Sequence, residues 1–262
     1  MLQLLKVEWM KVKNYRTFWV LSVLYLISVF GANYIAYQLY QSRPRNNDMA
    51  KGIIGTPFDF PDVWHVVSYT SSFLMFMLGL MIIISFTNEY SYKTHRQNII
   101  DGWSRKEFIF VKMVITVIVA LVASIAVFIT ALLFGLFENA GSFTFEKIDF
   151  IGYFFIQAVS YCAAALLFSL LFKRSGITIG VYFLYTLILE NMLAGFLNRY
   201  ADYMGRYLPL ETTDNLIRVP VFKVIINQLT ASYNTTALLM MSAVYLALYY
   251  FISYKKFQSD DL

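Results

Sequence analysis

Few side chains in this 262-residue chain stand close enough together to do chemistry. The two histidines, His65 and His95, fall in different polar segments, and neither belongs to an H-E-x-x-H pair. The single cysteine, Cys162, sits inside an apolar run, so no intrachain disulfide and no thiol-built metal cluster can form. No G-x-x-x-x-G-K-[ST] phosphate loop and no G-x-S-x-G nucleophile elbow occurs. No aspartate lies in the middle of an apolar run, which argues against an intramembrane aspartyl protease. The residues therefore describe a protein that is not an enzyme and carries no cofactor of its own. Ionisable groups crowd one stretch, residues 88–112, where Glu89, Lys93, Arg96, Asp101, Arg105, Lys106, Glu107 and Lys112 alternate with Tyr90, Ile99, Ile100, Trp103, Phe108 and Ile109. Aromatic and arginine side chains in that mixture suit a protein interface.

The elements that must position this stretch are membrane helices. The chain is 59% hydrophobic and 14% charged, against about 25% charged in a soluble domain. Its apolar residues fall in runs close to the roughly 20 needed to cross a bilayer core as a helix. The expected fold is all-α and polytopic, a single transmembrane domain over 1–262 with six spans. These are Phe18–Tyr37, Val66–Thr87, Met113–Phe137, Phe150–Phe172, a fifth from Ile177 that weakens near Glu190 and Asn191, and Thr235–Tyr254. Residues 1–17 precede the first span. Leu2, Leu5, Trp9 and Val12 share one helical face and Gln3, Lys6, Lys11 and Lys13 the other, the pattern of an amphipathic interfacial helix. A cleaved signal peptide fits less well, because the following run is too long.

Six spans put both termini on one side. Residues 1–17, 88–112, 173–176 and 255–262 carry 13 Lys and Arg, and the opposite loops carry 8. Lys173-Arg174 and Lys255-Lys256 are compact stop signals. The bias places both termini and segment 88–112 in the cytoplasm and segment 198–234 outside. A net charge of +5 then reports topology and lipid contact, not nucleic acid. After Pro220, Val221, Phe222, Val224, Ile225, Ile226 and Leu229 suggest a short helix on the outer face.

Glu190 is the one acid placed well inside a span. A charge at the helix centre costs about 2.5–3.5 kcal/mol on insertion scales. Two readings stand: a short span whose Glu190 reaches the outer headgroups, or a chain that turns back there, with 190–207 re-entrant and Glu190 near a pathway. Proton coupling through Glu190 is a lesser third.

Within 88–112, Gly102 permits a sharp break, and Ser104 with Glu107 reads as a capping box that opens the helix continuing into span three. Glu89, Thr94, Arg96, Ser104-Arg105 and Lys112, with Gly102 at the break, resemble the cytoplasmic pattern of ABC-2-type permeases, the membrane subunits of bacterial ABC exporters. That family often has a glycine before the threonine; Lys93 stands there here. The resemblance implies that 88–112 couples to an ATPase cleft and that residues 1–17 form the family's connecting helix. It also implies two ATPase subunits holding ATP and Mg, a second permease (identical or homologous), and residence in the bacterial inner membrane. Lys93, Arg96 and Lys112 as topology signals alone is the plainer reading of the same residues, with Glu89 pairing locally to Lys93. A membrane anchor or sensor that holds a soluble partner through 88–112 is the other functional reading.

Overall fold

The computed structural model describes residues 2–42, 56–100, 102–138, 143–201, 203–220 and 234–259. The expected short helix after Pro220, the loop 43–55 and Asp101 lie outside the described residues. The described elements are helices: α1 Leu2–Lys13, α2 Arg16–Gln41, α3 Asp62–Ser72, α4 Met75–Ser91, α5 Thr94–Ile100, α6 Arg105–Glu138 and α7 Asp149–Phe172. They continue with α8 Ser175–Leu184, a π turn Tyr185–Leu189, α9 Glu190–Tyr200, a 3-10 turn Met204–Tyr207, α10 Glu211–Asp214 and α11 Thr235–Ser259. Helices satisfy every backbone group internally, which apolar surroundings demand.

Among the described residues five helical stretches are long and apolar enough to cross a membrane, and the bent pair α3–α4, taken as one span, makes a sixth. At the centre stands α7, the most enclosed of them, packed against α4, α6 and α11. Its buried Ala158, Ala163, Ala164 and Ala165 let neighbouring backbones approach closely. The first and last spans, α2 and α11, turn much apolar surface outward, including Val20, Ile27, Ile35 and Leu39 on α2 and Met240, Val244 and Phe251 on α11.

Two spans depart from the sequence expectation. Span two is not one rod over Val66–Thr87. It starts at Asp62 and breaks between α3 and α4 with a 49° bend. The Ser68 hydroxyl donates to the Trp64 carbonyl at 2.7 Å and that of Ser72 to the Tyr69 carbonyl at 2.7 Å, a back-bonding that bends helices. Asn33 of α2, fully buried, donates to the Ser71 hydroxyl at 3.0 Å and fixes the bend. Span five does not end at Glu190. The helix runs through that residue to Tyr200, widened by the π turn. The Asn191 amide donates to the carbonyls of Thr186 (3.2 Å) and Leu187 (3.3 Å) and so competes for the regular ladder. The chain reverses only after Tyr200. There the Met204–Tyr207 turn lies so close on α9 that a Cβ on Gly205 would meet the Ala194 carbonyl oxygen at 2.3 Å.

Candidate functional site

Segment 88–112 folds as a helical hairpin. Lys93 ends α4 with φ 57, a left-handed conformation that glycine adopts without strain. The helix α5 then folds back. His95 Nδ1 lies 3.0 Å from the Glu89 carbonyl, which can only accept, so Nδ1 carries the hydrogen. The His95 ring also packs 4.4 Å from that of Tyr90. Gly102, at φ +97, turns the chain a second time. The backbone N–H and hydroxyl of Ser104 donate to Glu107 Oε2 at 2.9 and 2.7 Å, and the Glu107 N–H returns to the Ser104 hydroxyl at 3.2 Å. The expected capping box is formed, and it opens α6.

Beneath the hairpin lies a buried cluster of charges. Lys112 of α6 donates to Glu8 Oε2 of α1 at 2.5 Å and also to Glu89 Oε1 of α4. Lys11 donates to Glu8 Oε1 at 2.7 Å and reaches Glu89 Oε1 at 3.4 Å. Glu8, Glu89 and Lys112 are all buried. Two lysines face two carboxylates, so the cluster is formally neutral, which burial of charge demands. Burial alone would raise the Glu8 carboxyl; Lys112 and Lys11 outweigh it and hold the group below its ordinary value. The cluster ties three elements together and borders a cavity of about 160 Å³ lined by Val12, Tyr15, Asn88 and Thr94 among others.

Further contacts bring the chain ends to this same end of the molecule. Lys11 lies 5.9 Å from the Trp103 ring and Lys173 lies 5.6 Å from the Tyr90 ring. Arg105 donates to the carbonyls of Phe257 (3.4 Å) and Gln258 at the end of α11. A cation there also suits the negative pole of a helix. Phe108 stacks on Phe257 at 4.7 Å.

The structure thus divides the residues singled out from the sequence. Glu89 and Lys112 are inside, bound to each other. Ser104 caps, Gly102 turns, and Arg105 clasps α11. Arg96 is exposed, Thr94 is half-buried at the cavity rim, and Tyr92 and Ile100 are 76% and 77% exposed. Sequence reasoning missed Glu8. Its only signal was a lone acid among the lysines of 1–17.

Glu190 lies elsewhere, at the opposite end of the bundle. Its Oε1 accepts from the backbone N–H of Leu210 at 2.6 Å and of Glu211 at 3.2 Å, capping α10. Asp214 of α10 accepts from Gln157 Nε2 at 2.8 Å and from the Tyr161 hydroxyl at 2.9 Å, both on α7. Burial, with repulsion from Glu211 and Glu190, pushes the Asp214 carboxyl up to about 7.

Comparison with known families decides what kind of molecule this is. The profile of a family described as ABC-2 family transporter protein matches residues 4–189. The chain belongs to that family. This ABC-2 protein is a permease subunit of an ABC transporter, a multi-pass membrane component that associates with an ABC ATPase. The match covers α1 through the π turn, and so includes the hairpin and all four members of the charge cluster. A comparison with curated proteins finds no match.

Proposed function

We propose that this ABC-2 permease converts ATP hydrolysis in a separate ATPase into export of substrate, and that the hairpin, at its helix α5, is where the ATPase pushes. The observation that carries the reading is the neutral, buried Glu8–Lys112–Glu89–Lys11 cluster. It ties the two stems of the hairpin, α4 and α6, to each other and to α1, as a part that transmits force must be braced. Tyr92, Arg96 and Ile100 supply the exposed contact edge. Two ATPase subunits carrying ATP and Mg would serve two permease chains in the bacterial inner membrane, with hairpin and termini cytoplasmic. Under this reading α1 lies in the membrane interface, its outward face carrying Trp9 and Met10, both about half-exposed, together with Lys6 and Lys13, whose long stems carry their charges to the headgroups.

Coexpression with the ATPase tests the reading. Arg96→Glu with Ile100→Asp should abolish copurification and substrate-stimulated ATP hydrolysis. Lys112→Met should keep copurification but lose at least ten-fold of the stimulation, because docking survives and bracing does not. Full association and stimulation in both variants would refute the coupling role. Direction is read from inverted vesicles, in which an exporter accumulates substrate inside.

A further inference from the structure

Apart from the charge cluster, the bundle holds an apolar cleft of about 260 Å³ between α1, α2, α4 and α6. Its floor is buried: Tyr25 of α2, Leu78 and Met81 of α4 and Ala123 of α6 are each at most 5% exposed. Its rim is exposed, with Leu26 on α2 and Ile118 and Val122 on α6. The cleft therefore opens sideways, onto the surface that a multi-pass protein turns to lipid.

Hydrocarbon is the occupant that such a space takes. An apolar cavity of about 150 Å³ already stays dry and binds benzene, and this one is larger. The Ser22 hydroxyl donates to the Phe18 carbonyl at 2.8 Å and Trp19 Nε1 to the Lys13 carbonyl at 3.1 Å, so neither of these groups at the wall asks for a water. An empty cleft forfeits dispersion contacts along its lining, and an acyl chain restores them.

Its length and its closed end say which hydrocarbon. On α2 the cleft reaches Leu26, ten residues beyond Arg16, where the helix starts. That is about 15 Å at 1.5 Å per residue, half of the roughly 30 Å hydrocarbon core. The cleft is one leaflet deep. At the end near Arg16, Trp9 of α1 and Trp19 of α2 meet edge to face, 6.4 Å between ring centroids. Tryptophan is enriched at headgroup level. One turn beyond each indole stands a cation on the same helix face: Lys6 three residues before Trp9, and Arg16 three residues before Trp19. Lys13, whose carbonyl receives the Trp19 indole N–H, is the third. All three are exposed. Cations at this level attract anionic headgroups.

We propose that this cleft is a binding site for an anionic phospholipid of the leaflet next to the hairpin, with one acyl chain in the cleft and the phosphate held by Lys6, Lys13 and Arg16. The site goes beyond the coupling reading, since it requires only that the chain sits in a bilayer. Its walls come from α4 and α6, the stems of the hairpin, and from α1, which Glu8 ties to Lys112. The lipid thus packs between the same three elements that the charge cluster joins.

The test titrates the full chain in dodecylmaltoside micelles with phosphatidylglycerol or phosphatidylcholine brominated in the acyl chains, because bromine quenches a tryptophan that it touches. Trp9 and Trp19 stand on the cleft; Trp64 and Trp103 lie off it and give a background that the variants share. Half-quenching should need at least five-fold less phosphatidylglycerol than phosphatidylcholine, as mole fraction in the micelle. In Lys13→Gln with Arg16→Gln the ratio should fall below two-fold, while quenching by phosphatidylcholine stays as in the wild type. Ala123→Leu, which fills the floor, should raise the half-quenching fraction of both lipids at least five-fold. If that variant does not fold, Val122→Phe, placed at the exposed rim, should do the same. Equal quenching by the two lipids in the wild type, a preference that survives loss of the cations, or a half-point unmoved in the filled cleft would each overturn the proposal. So would a disulfide-linked dimer of Val122→Cys in native membranes, because a second copy of the chain would then cover the cleft.

Discussion

Lys112 carries the heaviest load of any single side chain. It is buried, and it answers two carboxylates from different helices. Removing one partner of a buried pair is costly, about 3–5 kcal/mol, because the remaining charge is left uncompensated. Lys112→Met should therefore lower the melting temperature in detergent more than Lys11→Met, whose side chain is half-buried; equal losses would show that the cluster is not anchored on Lys112. The pH dependence follows from the same residues. Glu8 is held below its ordinary 4.5, so its contribution is full above that value and is lost as pH falls through the depressed one. Asp214 moves the other way, from 3.8 to about 7. The folded chain keeps a proton that the unfolded chain releases, so this contribution declines as pH rises through that window. Asp214→Asn should flatten the melting temperature between about pH 4 and 7, and an unchanged slope would show that the group does not titrate there. Lys112 and Glu89 were visible in the sequence as charges beside spans. Their partner Glu8 was not, because a contact between positions 8 and 112 leaves no local pattern.

Elements were legible where their signals are local. The Ser104–Glu107 box was readable from a four-residue spacing, and it forms as expected. Ser104→Ala should destabilise the start of α6 by about 1 kcal/mol, seen as faster amide exchange over residues 105–109. Exchange unchanged from wild type would mean that packing of Phe108 holds this turn without the cap. Lys93 was visible only as a departure from the family's glycine. Its positive φ explains that preference, and Lys93→Gly should be tolerated or slightly stabilising, where Lys93→Val should not. The bend of span two was not legible. No proline or glycine marks it; it arises from serine back-bonding and from Asn33 on a different helix. The length of span five was misread for a related reason. Hydropathy drops at Glu190 and Asn191, yet that glutamate is satisfied by α10 backbone from a segment twenty residues on. The helix has no cause to stop.

At the scale of the whole molecule, the contacts of the hairpin gather residues near both ends of the chain at one end of the bundle. Glu8 near the N-terminus, the Gln258 carbonyl near the C-terminus and the hairpin residues Arg105 and Lys112 all meet at one end. The 203–217 segment packs at the other, against α7 and α9. Under the charge bias, single cysteines introduced at Ser104 and Tyr203 should therefore stand on opposite faces of the membrane. Both positions are exposed. The native thiol of Cys162 is buried and gives a quiet background. On intact cells, a membrane-impermeant maleimide should label Tyr203→Cys and spare Ser104→Cys until the cells are opened. The reverse pattern would put the basic ends outside, against the charge bias. It would also leave the hairpin on the side of the membrane where no ATPase could reach it. Sidedness thus joins the two ends of the mechanism. If Ser104→Cys is shielded, the braced hairpin faces ATP and the end of the bundle that holds Glu190 and Asp214 faces away from it.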